Sequence, residues 1–254
     1  MKIVMIGAGN VATVLGKLFY KSGFPIIQIV GRSKESANKL AAELNTEAIF
    51  SLEQISQEAD LYIIAVPDDS VNSIAEKLLL NGKVVVHTAG TLSLNTIHKT
   101  SNNIGIIWPL QSLRKQINEI PEIPFVIDGN NEYVLMFLNR VLSSVSENII
   151  TLKDNERIKL HFSAVLVSNF TNHLYALAQQ YCGNYKLPFD FLNPLIAETA
   201  SRINYYEAKD LQTGPSVRGD NITVTAHLKL LEENEMLRNI YTIFDKSIKE
   251  MYKK

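Results

Sequence analysis

Met1-Lys2-Ile3-Val4-Met5-Ile6-Gly7-Ala8-Gly9-Asn10-Val11-Ala12-Thr13-Val14-Leu15-Gly16 opens the chain. The β-branched run from Ile3 to Ile6 reads as a buried strand, and the apolar spacing that starts after Asn10 reads as a helix. Between them Gly7 permits a tight turn, and Gly9 removes the Cβ that would block a pyrophosphate. Ala12 takes the third small position, where the helix packs closely on the strand. Gly7, Ala8, Gly9, Asn10 and Val11 would therefore turn backbone N–H groups, and the positive end of the helix, toward phosphates. Gly-x-Gly also occurs in ordinary turns. The order of strand, turn and helix is what makes this a dinucleotide-binding signature.

The rest of the first half extends that unit. A helix is expected over 10–21, ended by Gly23 as C-cap and by Pro25. A strand over 26–30 leads into Gly31-Arg32-Ser33-Lys34. NAD-binding domains place an Asp or Glu here for the adenosine ribose 2′-OH. Arg32 and Ser33 instead suit a 2′-phosphate, which a guanidinium clamps through two N–H groups. They point to NADP(H), the alternative being a solvated basic turn with Ser33 capping the next helix.

A helix follows over 34–44, then a short strand near 48–50. The apolar strand 61–66 ends in Pro67-Asp68-Asp69-Ser70. Val66 and Pro67, at its carboxyl end, should border the nicotinamide ribose, while Asp68 and Asp69 cap the helix 71–80. The strand 83–87 ends in His87-Thr88-Ala89-Gly90. His87 and Thr88 either contact cofactor or substrate or pack the loop. Further strands over 104–108, 125–128 and 149–152, and a helix over 132–143, complete the half.

β-branched runs stop near Lys153 and long helical patterns take over, with helices expected over 155–185, 189–208, 221–233 and 235–252 and a loop over 211–220. The fold class is α/β: an N-terminal Rossmann domain with a mostly parallel sheet (1–153), followed by an all-α domain (154–254) for substrate binding and dimerisation. A net charge of −1 gives no electrostatic case for nucleic acid or an acidic membrane. No apolar run nears the roughly 18 residues of a membrane span. No targeting segment is evident, and a cytoplasmic, reduced setting is expected. The single cysteine, Cys182, rules out an internal disulfide and a cysteine-rich zinc site, and no metal is expected. It reads as a buried thiol.

Chemistry in the second half centres on Asn169, Asn172 and His173. At regular helical spacing they share a face of an apolar helix. Buried amides and imidazoles cost roughly 1–3 kcal/mol each unless hydrogen-bonded. The trio therefore faces either a small-molecule substrate or a network between helices. Arg218 could hold a substrate carboxylate in bidentate fashion, or pair with Asp220 or Glu198. His227 could reach the same region.

Gly7-Ala8-Gly9-Asn10-Val11, Gly31-Arg32-Ser33, Ala65-Val66-Pro67-Asp68-Asp69, His87-Thr88-Ala89-Gly90 and Pro109-Leu110-Gln111 resemble a Rossmann family close to pyrroline-5-carboxylate reductase. His161, the segment Ser168 to Leu174, Glu198-Thr199, and Gln212-Thr213-Gly214-Pro215 with Arg218 and Asp220 resemble its helical C-terminal domain of unknown function. The resemblance spans nearly the whole chain. It implies an NADP-dependent oxidoreductase, with ketopantoate reduction among the suggested activities. Wider relatives are ketopantoate reductase, β-hydroxyacid dehydrogenases and 6-phosphogluconate dehydrogenase. Those dehydrogenases carry a catalytic Lys four residues before an Asn, where this chain has Val165 before Asn169. The dimerisation motif of pyrroline-carboxylate reductase is also not evident.

Two functions of different class follow. One is an NADPH-dependent reductase of a small carbonyl or imine acid, a homodimer with Asn169 and Asn172 orienting substrate, His173 as acid and Arg218 as anchor. The other is a non-catalytic NADP(H)-binding sensor or assembly protein.

Overall fold

Eight strands form one sheet in the computed structural model, which describes residues 1–117 and 119–253. They are β1 (Ile3–Ile6), β2 (Ile26–Val30), β3 (Glu47–Ile49), β4 (Leu61–Ile64), β5 (Val84–His87), β6 (Asn103–Pro109), β7 (Phe125–Gly129) and β8 (Ile149–Thr151). Their order is β3-β2-β1-β4-β5-β6-β7-β8. Every neighbouring pair is parallel except β6 and β7, so the last two strands run against the first six. The order reverses between β1 and β4, which makes their carboxyl ends the switch point where such sheets bind ligands.

Strand alternation assigns the core. Ile3, Met5, Ile29, Leu61 and Ile63 face α1 (Asn10–Lys21), α2 (Lys34–Glu43) and α4 (Glu132–Leu142), through Leu15, Phe19, Leu40 and Leu138. Val4, Ile6, Tyr62, Ile64 and Val85 face the other way, onto Val71 and Ala75 of α3 (Asp68–Ala75). Covered on both sides, these strands tolerate continuous apolar runs. Helix α1 ends as expected, with Gly23 at φ +84 beyond the cap residue Ser22.

Helix α5 (Asp154–Ala164) packs on the same sheet, where Leu160 joins Ile106, Trp108 and Val126. The compact units consequently part between Asn169 and Phe170, although β-branched runs stop at 153. A segment of π-helix, Val165–Phe170, follows α5.

The second unit contains α6 (Thr171–Asn184), α7 (Asn193–Arg202), α8 (Pro215–Arg218), α9 (Asn221–Leu230) and α10 (Glu235–Met251). The segment expected to be loop holds the short α8. Pro215 starts it with a preset φ, and Gly219, at φ +67, ends it in the left-handed conformation. Asp220 caps α9 by accepting from the Thr223 N–H at 3.0 Å and its hydroxyl at 2.7 Å. The expected helix over 189–208 is shorter, with a 3-10 turn at Phe189–Leu192 before α7. Cys182 is free but only half-buried, against expectation. No described helix is long and apolar enough to cross a membrane.

Candidate active site at the carboxyl ends of the strands

The two signature glycines do different work. Gly7 sits at φ +127, and a Cβ there would lie 2.2 Å from the Ala65 carbonyl oxygen, so β1 and β4 could not stay this close. A Cβ on Gly9 would meet nothing within 4 Å. That open volume lies at the start of α1, whose cap Gly9 offers no side chain to the first-turn N–H groups. Free N–H donors, the positive helix end and a missing Cβ make a phosphate cradle. The Asn10 carboxamide oxygen accepts from the Lys115 N–H at 3.3 Å, so the β6–β7 connection is tied to the same turn.

A cleft of about 630 Å³ runs from this turn to the end of β2. Gly7, Ala8, Gly9, Arg32, Ser33, Val66 and Pro67 line it, as the sequence predicts. Ser33 also fulfils the capping alternative, its hydroxyl accepting from the Ser36 N–H at 3.4 Å. Three cations, Arg32, Lys77 and Lys115, border the cleft with no carboxylate among its lining. None of the three forms a salt bridge among the described residues. Asn10 and Val11 begin the adjoining helix without lining the cleft, and Thr88 is buried at the end of β5.

Sequence reasoning missed Lys77, Lys115 and Phe50. Phe50 follows β3 at the rim, with the Lys34 ammonium 5.6 Å from its ring centre. Lys77 and Lys115 carry no local motif, because chain folding alone brings them to the cleft.

At the end of β5, His87 is fully buried and packs the loop. Its Nδ1 accepts from the Ala89 N–H at 3.2 Å, leaving Nε2 to donate to the Ser93 carbonyl at 3.3 Å. Burial pushes its pKa down to about 4, so the imidazole is neutral near pH 7. Behind the loop Arg157 of α5, 1% exposed, donates from Nε to the Gly90 carbonyl at 3.2 Å and from Nη2 to the Leu92 carbonyl. It also pairs with Asp154 at 2.7 Å, and Asp154 accepts from the Ser93 hydroxyl at 2.6 Å. Partial burial would raise the Asp154 carboxyl; the hydrogen bonds from Ser93, Arg157 and the Leu94 N–H outweigh it and hold the pKa low. The buried Asp128 is held by Lys153 at 2.7 Å.

Residues 2–90 match the family model described as NADP oxidoreductase, coenzyme F420-dependent, and residues 123–248 match a domain of unknown function, DUF2520. The chain is 36% identical to a Bacteroides fragilis protein of known crystal structure, provisionally assigned as an NADP oxidoreductase. Each chain is covered over 98%, with a TM-score of 0.89. The chain belongs to this NADP oxidoreductase family.

Pyrroline-5-carboxylate reductase of Streptococcus pyogenes, 18% identical, aligns over 99% of this chain and 98% of its own with a TM-score of 0.66. An imine reductase of Myxococcus stipitatus in complex with NADP+, also 18% identical, aligns over 98% and 93% with a TM-score of 0.63. At that identity both show the fold. Glutamyl-tRNA reductase of Oceanobacillus iheyensis is 25% identical over 154 residues, 60% of this chain and 33% of the curated relative's length.

NADP(H) is the cofactor of the family, and the cleft fits it. The open space at Gly9 would admit a pyrophosphate, and Arg32, Ser33 and Ser36, which line the other end of the cleft, would hold a 2′-phosphate. Among the described residues no cluster of His, Cys, Asp and Glu could hold a metal ion.

The second-half candidates lie on a helix that is not regular throughout. Asn169 lies in the π-helical segment and Asn172 and His173 in α6, so the regular spacing that put them on one face is interrupted. All three are exposed. Glu198 pairs with Arg202 at 2.7 Å, not with Arg218. Arg218 forms no salt bridge among the described residues. Its charge adds to the Thr223 hydrogen bonds that hold Asp220 low. His227 bonds through Nδ1 to the Tyr241 hydroxyl at 2.9 Å.

Proposed function

We propose that the protein is an NADPH-dependent reductase of a small carbonyl or imine acid, a ketopantoate-like 2-oxo acid being one candidate. The observation that carries this is the cleft at the β1–β4 switch point, with open space at Gly9, uncapped N–H groups and three cations without a carboxylate. It extends to Val66 and Pro67, where the nicotinamide half of a dinucleotide would enter. Bound NADPH supplies hydride. Asn169, Asn172 and His173 offer exposed polar groups to orient a substrate, and Arg218 offers a guanidinium for its carboxylate. The neighbours named as imine and pyrroline-carboxylate reductases support the substrate class.

The protein is further proposed to act as a homodimer in the cytoplasm. The helical unit exposes Phe191 (84%), Tyr205 (79%) and Tyr206 (64%), apolar area that a second copy would cover. Sedimentation velocity checks this, and a monomer at micromolar concentration would refute it.

Val165, at the place of the dehydrogenases' lysine, favours a second reading, a protein that binds NADP(H) without chemistry. NADPH oxidation over a panel of 2-oxo acids, ketopantoate included, and cyclic imines separates the two. Tight NADPH binding with no turnover of any member would leave the binding protein as the reading.

A further inference from the structure

Arg157 and His161 lie one turn apart on α5 and meet the same loop. Arg157 holds the Gly90 carbonyl from behind, in the buried hydrogen bonds described above. His161 lies against the other side of that residue: a Cβ on Gly90 would fall 2.6 Å from its Cδ2 and 2.9 Å from Cε2 of Trp108. The two rings are 5.5 Å apart at 40°. Gly90 therefore has no room for a side chain, and its absence lets the imidazole reach the carboxyl ends of β5 and β6. His161 is half-buried, and neither ring nitrogen has a hydrogen-bond partner among the described residues. His87 nearby is neutral and fully committed to its loop.

The direction of the cofactor completes the placement. Its 2′-phosphate end belongs at β2, beside Arg32, and its pyrophosphate at β1. The nicotinamide would then continue toward β4 and β5, and His161 stands against Gly90, just beyond the end of β5. We propose that His161 is the catalytic acid that meets the reducible group of the substrate. This rests on the reductase reading above and replaces His173 in that role. With the hydride that bound NADPH would supply to the substrate carbon, the π pair of C=O or C=N would move to the heteroatom. A ring N–H bond of His161 breaks as a new O–H or N–H bond forms, and a proton from the bulk, carried by hydronium or a buffer acid, then restores the ring. The buried Arg157 acts through the backbone, fixing the Gly90 loop and the turn of α5 that carries the imidazole.

Two measurements on the full-length protein test this. In the first, NMR follows the His161 imidazole signals, assigned by their loss in His161→Gln, during titration with NADP+ and with 2′-phospho-ADP-ribose. The second nucleotide fills the same cleft but lacks the nicotinamide ring. NADP+ is expected to displace the signals and the truncated nucleotide to leave them in place. Equal displacement by both, or by neither, overturns the placement.

In the second, His161→Gln and His161→Asn are assayed on whichever panel member is reduced. Their kcat should fall about 100-fold or more with NADPH affinity unchanged, whereas His173→Gln, at a residue that orients substrate, should raise KM and lower kcat far less. The emission of Trp108, the only tryptophan, reports whether the variants keep the local packing. Retained kcat in both variants, or loss in His173→Gln instead, refutes the assignment. A panel without turnover brings down the reductase reading and the proton transfer together, while the NMR result still decides where His161 stands.

Discussion

Alanine at Gly7 and alanine at Gly9 should have opposite consequences, although the two residues belong to one Gly-x-Gly. At Gly7 the left-handed backbone alone costs a side chain about 1–2 kcal/mol. The new Cβ also lies 2.2 Å from the Ala65 carbonyl oxygen, well inside contact distance, and that oxygen is backbone that only moves with β4. Together these give a loss of about 3 kcal/mol or more, in the range of overpacked cores. For a chain of this size that lowers Tm by roughly 6–12 °C. Gly9 has φ −82 and open space where a Cβ would stand, so Gly9→Ala should leave Tm within about 2 °C of wild type. The methyl would instead stand where the pyrophosphate approaches the N–H groups. Displacing it by about 1.4 kcal/mol already weakens NADPH tenfold. Differential scanning fluorimetry and NADPH fluorescence titration measure the two effects. The cradle is wrong if Gly9→Ala unfolds as early as Gly7→Ala, or if it binds NADPH as wild type does.

Arg32→Ala should weaken NADPH by roughly 10–100-fold, the worth of charge-assisted hydrogen bonds to a phosphate, and change NADH little; equal losses would remove the 2′-phosphate clamp. His87 sets an acid limb of stability. Above pH 6.5 it is neutral folded and unfolded. As pH falls toward the folded value of about 4 the unfolded chain takes the proton first, which costs about 3 kcal/mol across that window. Urea unfolding of wild type and His87→Gln at pH 7 and pH 4.5 reads this, and an unchanged pH slope in the variant would contradict it. Arg157→Met removes a buried cation from Asp154 and leaves the Gly90 and Leu92 carbonyls without that donor, for an expected loss of about 3–5 kcal/mol by denaturant titration. A loss below about 1 kcal/mol would mean that the buried pairing contributes little.

The sequence by itself determined whatever depends on neighbours along the chain. Strand, glycine turn and helix at residues 3–21 appear as the local pattern of apolar and small residues requires, and Arg32 and Ser33 announce NADP(H) because the end of β2 is a fixed distance from the first turn. Gly23 and Ser33 mark helix ends by φ and local hydrogen bonding. The tertiary structure decided what depends on residues far apart. Lys77 and Lys115 reach the cleft only because α3 and the β6–β7 connection fold against it, and no local spacing encodes that. Helix α5 joined the sheet because Leu160 and Arg157 find partners on β6, β7 and the Gly90 loop, a choice that helical periodicity leaves open. Regular spacing also did not foresee the π-helical segment that carries Asn169 just ahead of Asn172 and His173. The glycine turn is legible in the sequence as a phosphate cradle, and only the fold placed His161 beside Gly90, where we propose that it meets the substrate.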